Sequence, residues 1–190
     1  EIVRNGGLIA FPTDTVYGLG VDPRQPDAVR RLVATKGRPE GKGLPILVAN
    51  SETVTELVIP NPLITRLALA FWPGALTIVT GAQQGLHPLL LGPGHTVGIR
   101  VPASRMTRRL IRLAGSFLIG TSANISGQTA ATNAREAYNN LGGSVDYVVD
   151  GGHGESPAST VIDITTSPPS ILRSGSISED ELSLVVSQPG

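Results

Sequence analysis

The segment PDAVRRLVATKGRPEGKGLPILVA, residues 26–49, contains the patterns of a helix, a basic loop and a strand in direct succession. Pro26 suits the first position of a helix, and the apolar residues at 29, 32 and 33 have the spacing of a buried helical face. The apolar run at residues 44–49 predicts a buried strand. A helix that leads directly into a buried strand is typical of α/β proteins, so this segment predicts that fold class.

The loop between them, residues 36–43, carries Lys36, Arg38 and Lys42, and these two lysines are the only ones in the chain. Glycine or proline at four of its eight positions excludes a continuous helix or strand. Three cations on such a loop are suited to a polyphosphate or a carboxylate. An ordinary solvated loop is the alternative interpretation.

The rest of the chain continues the alternation of strands and helices. Short apolar runs predict strands at residues 8–11, 76–80, 96–102, 117–120, 146–150 and 159–164, with a short extended segment at 171–175. Helical patterns predict helices at residues 51–57, 63–71, 105–114 and 133–141, and a last helix that begins at Ser178. With no internal repeat and no linker, residues 1–190 are expected to form one α/β domain, a sheet flanked by helices.

Composition excludes several classes of site and location. The chain has no cysteine, which excludes disulfides, thiolate metal sites and a cysteine nucleophile. No apolar run approaches the roughly 18 residues of a membrane span, and no secretion signal is visible, so a cytoplasmic protein is expected. The formal net charge is zero, which implies no strong non-specific attraction to nucleic acid. The first seven residues read like the end of a helix, so residues before Glu1 are expected to be missing.

Common catalytic motifs are absent from the sequence. It contains no P-loop, no G-x-G-x-x-G after a strand and no G-x-S-x-G, and its three histidines lack the spacing of metal ligands. Asp14 and Glu40 are single carboxylates that offer only weak evidence for a base or a metal ligand. What remains is a set of polar residues near strand ends, namely Thr13, Lys36, Arg38, Arg100, Ser122, Asn124, Ser159 and Arg173. If these residues converge, the site is cationic and rich in hydroxyls, which suits phosphoryl or nucleotidyl transfer through positioning and charge neutralisation.

The predicted helix at residues 105–114 is two-faced. Its four arginines, at positions 105, 108, 109 and 112, recur at the spacing of one helical face. A solvated helix surface is one interpretation of this stripe, and contact with an RNA backbone is the other.

Eight segments in order resemble the YrdC family of threonylcarbamoyl-AMP synthases, and they cover nearly the whole chain. They are GLIAFPTDTVYGLG (7–20), KGRP (36–39), WPG with LT (72–77), VGIRVP (97–102), TSANISG (121–127), VDGG (149–152), STV (159–161) and RSG (173–175). Each is weak alone, but together they are highly specific. The resemblance implies a twisted mixed sheet flanked by helices around a large cationic cavity.

The resemblance also implies an activity. L-threonine, bicarbonate and ATP, with Mg²⁺, would give threonylcarbamoyl-AMP and pyrophosphate. A separate transferase complex would then move the threonylcarbamoyl group to adenosine 37 of tRNA, which makes a weak contact with tRNA a further expectation.

Carried over position by position, the resemblance implies that Thr13, Arg100 and Ser159 contact threonine, with Arg100 on its carboxylate. It implies nucleotide contacts at Lys36, Arg38, Thr96, Ser122, Asn124 and Arg173. Catalysis is expected to reside in Lys36, Arg38 and Arg173, because an anionic carbamate must approach an anionic phosphate. No residue is assigned to a metal.

The sequence departs from the family pattern at three positions. Asp14 stands where many members have Glu, Ala49 where some longer members have His, and Ser174 where proline is frequent. The second domain of longer relatives is absent from the sequence, as in the short form of the family. Two other functions stay open: an RNA-binding module, and a carbamoyltransferase-like paralogue that uses carbamoyl phosphate instead of bicarbonate.

Overall fold

A computed structural model describes residues 1–38, 41–154 and 157–187 of this chain. Pro39 and Glu40 of the basic loop lie outside the described residues. The helices within the described ranges are α1 (Pro26–Lys36), α2 (Pro62–Phe71), α3 (Arg105–Ala114), α4 (Ala134–Leu141) and α5 (Glu179–Val186). The strands are β1 (Ile9–Phe11), β2 (Gly18–Gly20), β3 (Ile46–Val48), β4 (Leu76–Gly81), β5 (Thr96–Arg100), β6 (Phe117–Ile119), β7 (Thr121–Ser122), β8 (Tyr147–Val148), β9 (Thr160–Asp163) and β10 (Ser170–Arg173).

The strands form two mixed sheets. The smaller sheet has the order β7-β2-β1-β8, with β1 antiparallel to β2 and parallel to β8. The larger sheet has the order β10-β9-β4-β5-β3-β6 and combines parallel pairs (β3 with β5, β4 with β9) with antiparallel ones. The predicted mixed α/β class is therefore confirmed.

Most predicted elements are present with bounds shifted by a few residues, and three details differ. The segment predicted as a helix at 51–57 is a short 3-10 helix, Glu52–Glu56. The strands β2 and β7 were not predicted, because their glycine, threonine and serine residues carry no apolar alternation. Pairing with neighbouring strands, which is a tertiary effect, makes these segments strands.

Capping residues fix where helices begin and end. In α5 the predicted capping box is present, because the Ser178 side chain accepts from the Glu181 N–H and the Glu181 carboxylate accepts from the Ser178 N–H. Helix α1 ends at Gly37, whose positive φ of 56° favours a residue without Cβ. This ending places Lys36 and Arg38 on either side of the turn, at the start of the basic loop.

Helices and the outer faces of both sheets enclose the apolar core. One large buried cluster joins residues of the smaller sheet, such as Leu19, to residues of the larger sheet, such as Ile46 and Ile78. The two sheets are therefore packed as one unit, and the polar strand ends meet between them. Within the described ranges, no helix has the length and apolar character needed to cross a membrane.

Candidate active site

A cavity of about 720 Å³ lies where the two sheets meet. Its floor is the face of the larger sheet, where Thr77, Val79, Gly98 and Arg100 point inward from β4 and β5. Residues from the smaller sheet, from the basic loop and from the ends of β9 and β10 complete the wall: Thr13, Thr15, Gly18, Arg38, Lys42, Thr121, Ser122, Ser159, Asp163 and Arg173. Seven of the nine side chains nominated from the sequence line this one cavity, and Lys36 and Asn124 lie behind its wall.

Arg100 is the most buried cation of the cavity, with 7% of its side chain exposed. Its Nη2 donates to Asp14 Oδ2 at 2.7 Å, its Nη1 to Thr15 Oγ1 at 3.1 Å and its Nε to the Gly74 carbonyl at 2.9 Å. Burial lowers the pKa of Arg100, and the Asp14 charge opposes that effect. Three of the five guanidinium N–H groups are thus used, which leaves two for a ligand.

Asp14 performs a different task from the one considered in the sequence. Its Oδ2 pairs with Arg100, while its buried Oδ1 has no hydrogen-bond partner within the described part of the chain. The carboxylate therefore orients and partly neutralises Arg100.

Arg173 is held against the end of β9. Its Nε and Nη2 donate to the Ser159 carbonyl at 3.0 and 2.8 Å, and Nη2 also donates to Ser159 Oγ at 3.0 Å. Ser159 Oγ lies 2.9 Å from Thr77 Oγ1. Arginine, serine and threonine side chains thus form a hydrogen-bonded row along the cavity wall.

Arg38 closes the basic loop on itself. Its Nε donates to the Lys42 carbonyl and its Nη2 to the Gly43 carbonyl, both at 2.9 Å. Burial lowers the pKa of Arg38 and that of Arg173, and the charges of Arg100 and Arg38 lower the pKa of Arg173 further. The three guanidinium groups thus line one cavity and affect one another's charge.

The charges of the cavity are only partly balanced by the protein itself. Among the described residues, Arg100 has a carboxylate partner, whereas Arg38 and Arg173 form no ion pair. Both guanidinium groups donate to neutral backbone carbonyls, which do not neutralise the positive charge of the arginines. The site thus combines fixed cations with neutral hydroxyls, an arrangement suited to a multiply charged anion.

Lys36 lies just behind this wall. Its residue surface is 2% exposed, and Nζ donates to the carbonyls of Ser122 and Asn124 at 2.6 and 2.8 Å and to Asn124 Oδ1 at 3.4 Å. Burial, reinforced by the Arg38 charge, lowers the pKa of Lys36 to about 8. Lys36 therefore holds the loop that presents Ser122, and its direct contact with phosphate stays a prediction.

The remaining nominated side chains are mostly engaged with the backbone. Thr13 Oγ1 donates to the Val16 carbonyl at 2.7 Å, Thr96 Oγ1 to the Pro93 carbonyl at 3.0 Å, and Asn124 Nδ2 to the carbonyls of Ile125 and Gln128. These bonds make the wall rigid. Thr13 and Thr96 still line the cavity.

Sequence reasoning did not nominate several polar residues that line the cavity, among them Thr15, Thr77, Thr121 and Asp163. A signal existed for two of them. Alternation along β4 places Thr77 on the same face as Val79, and alternation along β9 places Asp163 on the same face as Ser159. Thr15 contacts Arg100 across 85 positions of sequence, and no local pattern predicts such a contact.

Comparison with known proteins gives consistent results. A family model named for Sua5, YciO and YrdC, with the description telomere recombination, matches residues 1–175. The threonylcarbamoyl-AMP synthase of Pyrococcus abyssi is 37% identical over 189 residues, which are 98% of this chain and 55% of that protein. The enzyme of the same name from Bacillus subtilis is 35% identical over 188 residues, 97% of this chain and 54% of that protein.

The fold agrees with these sequence matches. The crystal structure of P. abyssi Sua5 complexed with L-threonine superposes with a TM-score of 0.93 at 37% identity, over 98% of this chain and 55% of that one. The chain thus spans about half the length of these relatives.

Proposed function

Because this chain belongs to the Sua5, YciO and YrdC family, we propose that it makes threonylcarbamoyl-AMP and pyrophosphate from L-threonine, bicarbonate and ATP. The observation that carries the proposal is the cavity in which Arg38, Arg100 and Arg173 converge, two of them without a carboxylate partner among the described residues. The product would serve a separate transferase complex that modifies adenosine 37 of tRNA in the cytoplasm. Residues 1–190 would act as one domain, and the buried cluster shared by both sheets supports this.

Threonine would bind at the end of the cavity that holds Arg100. The two free N–H groups of Arg100 suit the threonine carboxylate, and Thr13 and Ser159 suit its other polar groups. Arg100 enters this contact with its orientation already fixed by Asp14, Thr15 and Gly74. A planar guanidinium that is held in place binds a carboxylate with little loss of side-chain entropy.

ATP would occupy the rest of the cavity. Arg38 and Arg173 are positioned to neutralise its phosphates, with Ser122 and Thr96 as neutral contacts. Lys36 and Asn124 would support this half of the site through the loop that carries Ser122. A carbamate oxygen of N-carboxythreonine would form a bond to the α-phosphorus, and the bond from that phosphorus to the pyrophosphate oxygen would break.

The chemistry requires this excess of positive charge. Carbamate and triphosphate are both anions, so their approach is unfavourable until cations compensate them. Arg38 and Arg173 stay protonated despite burial, because an arginine does not lose its proton in proteins. Transition-state charge on the phosphoryl oxygens and on the leaving pyrophosphate would be stabilised by the same two groups.

Mg²⁺ fits this scheme as an ion that enters with ATP. Among the described residues no group of three or more histidine or acidic side chains could hold a metal. Mg²⁺ is commonly bound by substrate phosphates, water and only one or two carboxylates, so a dedicated cluster is not required. When bound, it would neutralise phosphate charge.

The test is pyrophosphate release from ATP, measured with and without L-threonine and with and without bicarbonate. We expect release only when both are present. Release that needs neither would indicate a nucleotide hydrolase. Formation of the AMP ester from carbamoyl phosphate without bicarbonate would instead favour the carbamoyltransferase-like alternative.

Helix α3 supports a second proposal, contact with RNA. Arg105, Arg109 and Arg112 are exposed on one helix, whereas Arg108 donates to the carbonyls of Pro102 and Ala103, which precede the helix. RNA affinity that falls steeply with salt, and that is lost when the three exposed arginines are changed to Glu, would support this contact. RNA affinity that does not depend on salt would count against it.

A further inference from the structure

Four neighbouring residues form a row across the cavity floor. Val79 of β4 pairs with Gly98 of β5 on one side and with Asp163 of β9 on the other. Pro45, next to the first residue of β3, lies on the far side of Gly98, 3.6 Å from the position that a Cβ of Gly98 would take. All four line the cavity, so the row is an apolar strip that ends in a carboxylate.

The strip is lowest at its centre, where Gly98 has no side chain. A Cβ at Gly98 would lie 3.3 Å from Thr77 Cγ2, and in its absence the floor is at the level of the backbone. Neighbouring strands are about 4.8 Å apart, so Pro45, Gly98 and Val79 span roughly 10 Å. An apolar surface of this width suits the face of an aromatic base.

Asp163 presents one oriented oxygen at the end of the strip. Its Oδ1 accepts from the Thr165 N–H at 2.8 Å and from Thr165 Oγ1 at 2.7 Å, which fixes the plane of the carboxylate. Its Oδ2 has no hydrogen-bond partner within the described residues, and Asp163 forms no ion pair there. Arg173 pairs with Val161 of β9, two residues before Asp163, and its Nη2 donates to the Ser159 carbonyl and not to Asp163.

A carboxylate is an unexpected group in a cavity that binds anions. It would repel phosphate, so Asp163 is unsuited to the phosphate end of a nucleotide. An ionised carboxylate accepts hydrogen bonds and donates none, and it therefore favours a ligand atom that carries a hydrogen. Thr96, which is expected to contact the nucleotide, begins β5 two residues before Gly98 and so lies close to this strip.

We propose that Asp163 selects the base of the nucleotide, with Oδ2 accepting a hydrogen bond from the exocyclic amino group of a base that lies on the strip. The inference rests on the proposed use of a nucleoside triphosphate. Adenine carries an amino group at the position where hypoxanthine and guanine carry a carbonyl oxygen. That oxygen would face Oδ2 without a hydrogen between them, so the same contact that binds adenine rejects the other two bases.

The experiment is direct binding of ATP and of ITP, the triphosphate with hypoxanthine, measured by calorimetry without the other substrates. We expect the wild-type protein to bind ATP at least about tenfold more tightly than ITP, the size of one hydrogen bond to a charged group. Asp163→Asn keeps an acceptor for Thr165 and gains a donor, so the ratio should fall toward one. Thr165→Val, which removes one of the two bonds that orient the carboxylate, should lower the ratio in the same direction.

A matched control is Asp180→Asn, an exposed carboxylate on α5, which should leave the ratio unchanged. Equal binding of ATP and ITP by the wild-type protein would overturn the inference, as would a ratio that survives Asp163→Asn. If Asp163→Asn instead abolished a preference for ATP over 2′-deoxy-ATP and kept the ratio of ATP to ITP, the carboxylate would contact the ribose, and base selection would be wrong. Failure to bind either nucleotide would count against the proposed function itself, so the two failures are distinguishable.

Discussion

Arg38, which is half-buried, and Arg173, which is more exposed, are both held by backbone carbonyls and have no carboxylate partner among the described residues. The protein thus partly desolvates two positive charges that it does not itself neutralise, as the lowered pKa of each arginine indicates. Such an arrangement is unfavourable in the empty protein and becomes favourable once an anion binds. The arginines therefore indicate where ligand charge belongs.

Arg38→Ala should lower turnover in pyrophosphate release by about 10²-fold, the effect of losing one group that stabilises transition-state charge. Because Arg38 also closes the basic loop, the variant should be compared with the wild type for thermal stability. Arg30→Ala on α1 is the control, because Arg30 is exposed and Asp27 is its only ion-pair partner among the described residues. Near-normal turnover of Arg38→Ala would contradict the assignment of the loop.

Lys36 has a pKa of about 8 in the folded protein, well below the value of about 10.4 for an unfolded lysine. Between these two pH values the unfolded chain binds a proton that the folded protein has released. The free energy of unfolding should therefore rise as the pH rises through this window. Below pH 8 the buried charge of Lys36 makes the free energy of unfolding smaller. Urea unfolding of the wild type and of Lys36→Met at pH 7 and pH 10 measures this effect. From pH 7 to pH 10, the free energy of unfolding of the wild type should increase relative to that of Lys36→Met. A difference that does not change with pH would show that Lys36 keeps its proton.

Among the elements, the turn Trp72-Pro73-Gly74 links the core to the site. Trp72 Nε1 donates to the Leu76 carbonyl at 2.7 Å, and the Gly74 N–H donates to the Val101 carbonyl at 2.8 Å. The Gly74 carbonyl then accepts from Arg100 Nε. This turn at the start of β4 thus fixes the guanidinium at the end of β5.

Gly74→Ala should destabilise the protein, because the new Cβ would lie 2.3 Å from the Phe71 carbonyl oxygen and the backbone must move. The cost expected for such overpacking is about 1–3 kcal/mol in the free energy of unfolding. Displacement of the Gly74 carbonyl should also weaken threonine binding through Arg100. Denaturant unfolding and calorimetry measure the two effects.

Gly143→Ala is the matched control, because a Cβ at Gly143 would contact no atom of the described part of the chain within 4 Å. Its stability should stay within about 0.5 kcal/mol of the wild type. Equal stability of the two variants would mean that the turn accommodates a side chain.

For the molecule as a whole, the position of the cavity between two sheets links ligand binding to global stability. Ligands that contact both walls bind the folded state and not the unfolded chain. At 100 times its Kd, ATP should raise the free energy of unfolding by about 2.7 kcal/mol, which for a chain of this length corresponds to a rise in Tm of roughly 5–10 °C. Arg38→Ala should lose most of this shift at the same ATP concentration, and Arg30→Ala should keep it. An equal shift in both variants would mean that ATP binds elsewhere.

The sequence determined the class of the fold and predicted several polar residues that line the cavity. Helix bounds such as 105–114, the capping box at Ser178 and the buried strands depend on local periodicity and capping, which act over a few residues. The nominated residues follow strands, and strand ends of an α/β sheet converge by topology. Local chemistry together with family resemblance was therefore enough to nominate seven of the residues that line the cavity.

Only the tertiary structure decided which of those residues face the cavity and which hold other residues in place. Lys36 is drawn behind the wall by the carbonyls of Ser122 and Asn124, more than 80 positions away, and Arg100 takes Asp14 and Thr15 as partners across a similar distance. β2 and β7 become strands only because each finds a partner. Contacts between distant segments depend on packing, which a local pattern does not encode, and they separate the side chains that face the ligand from those that hold them in place.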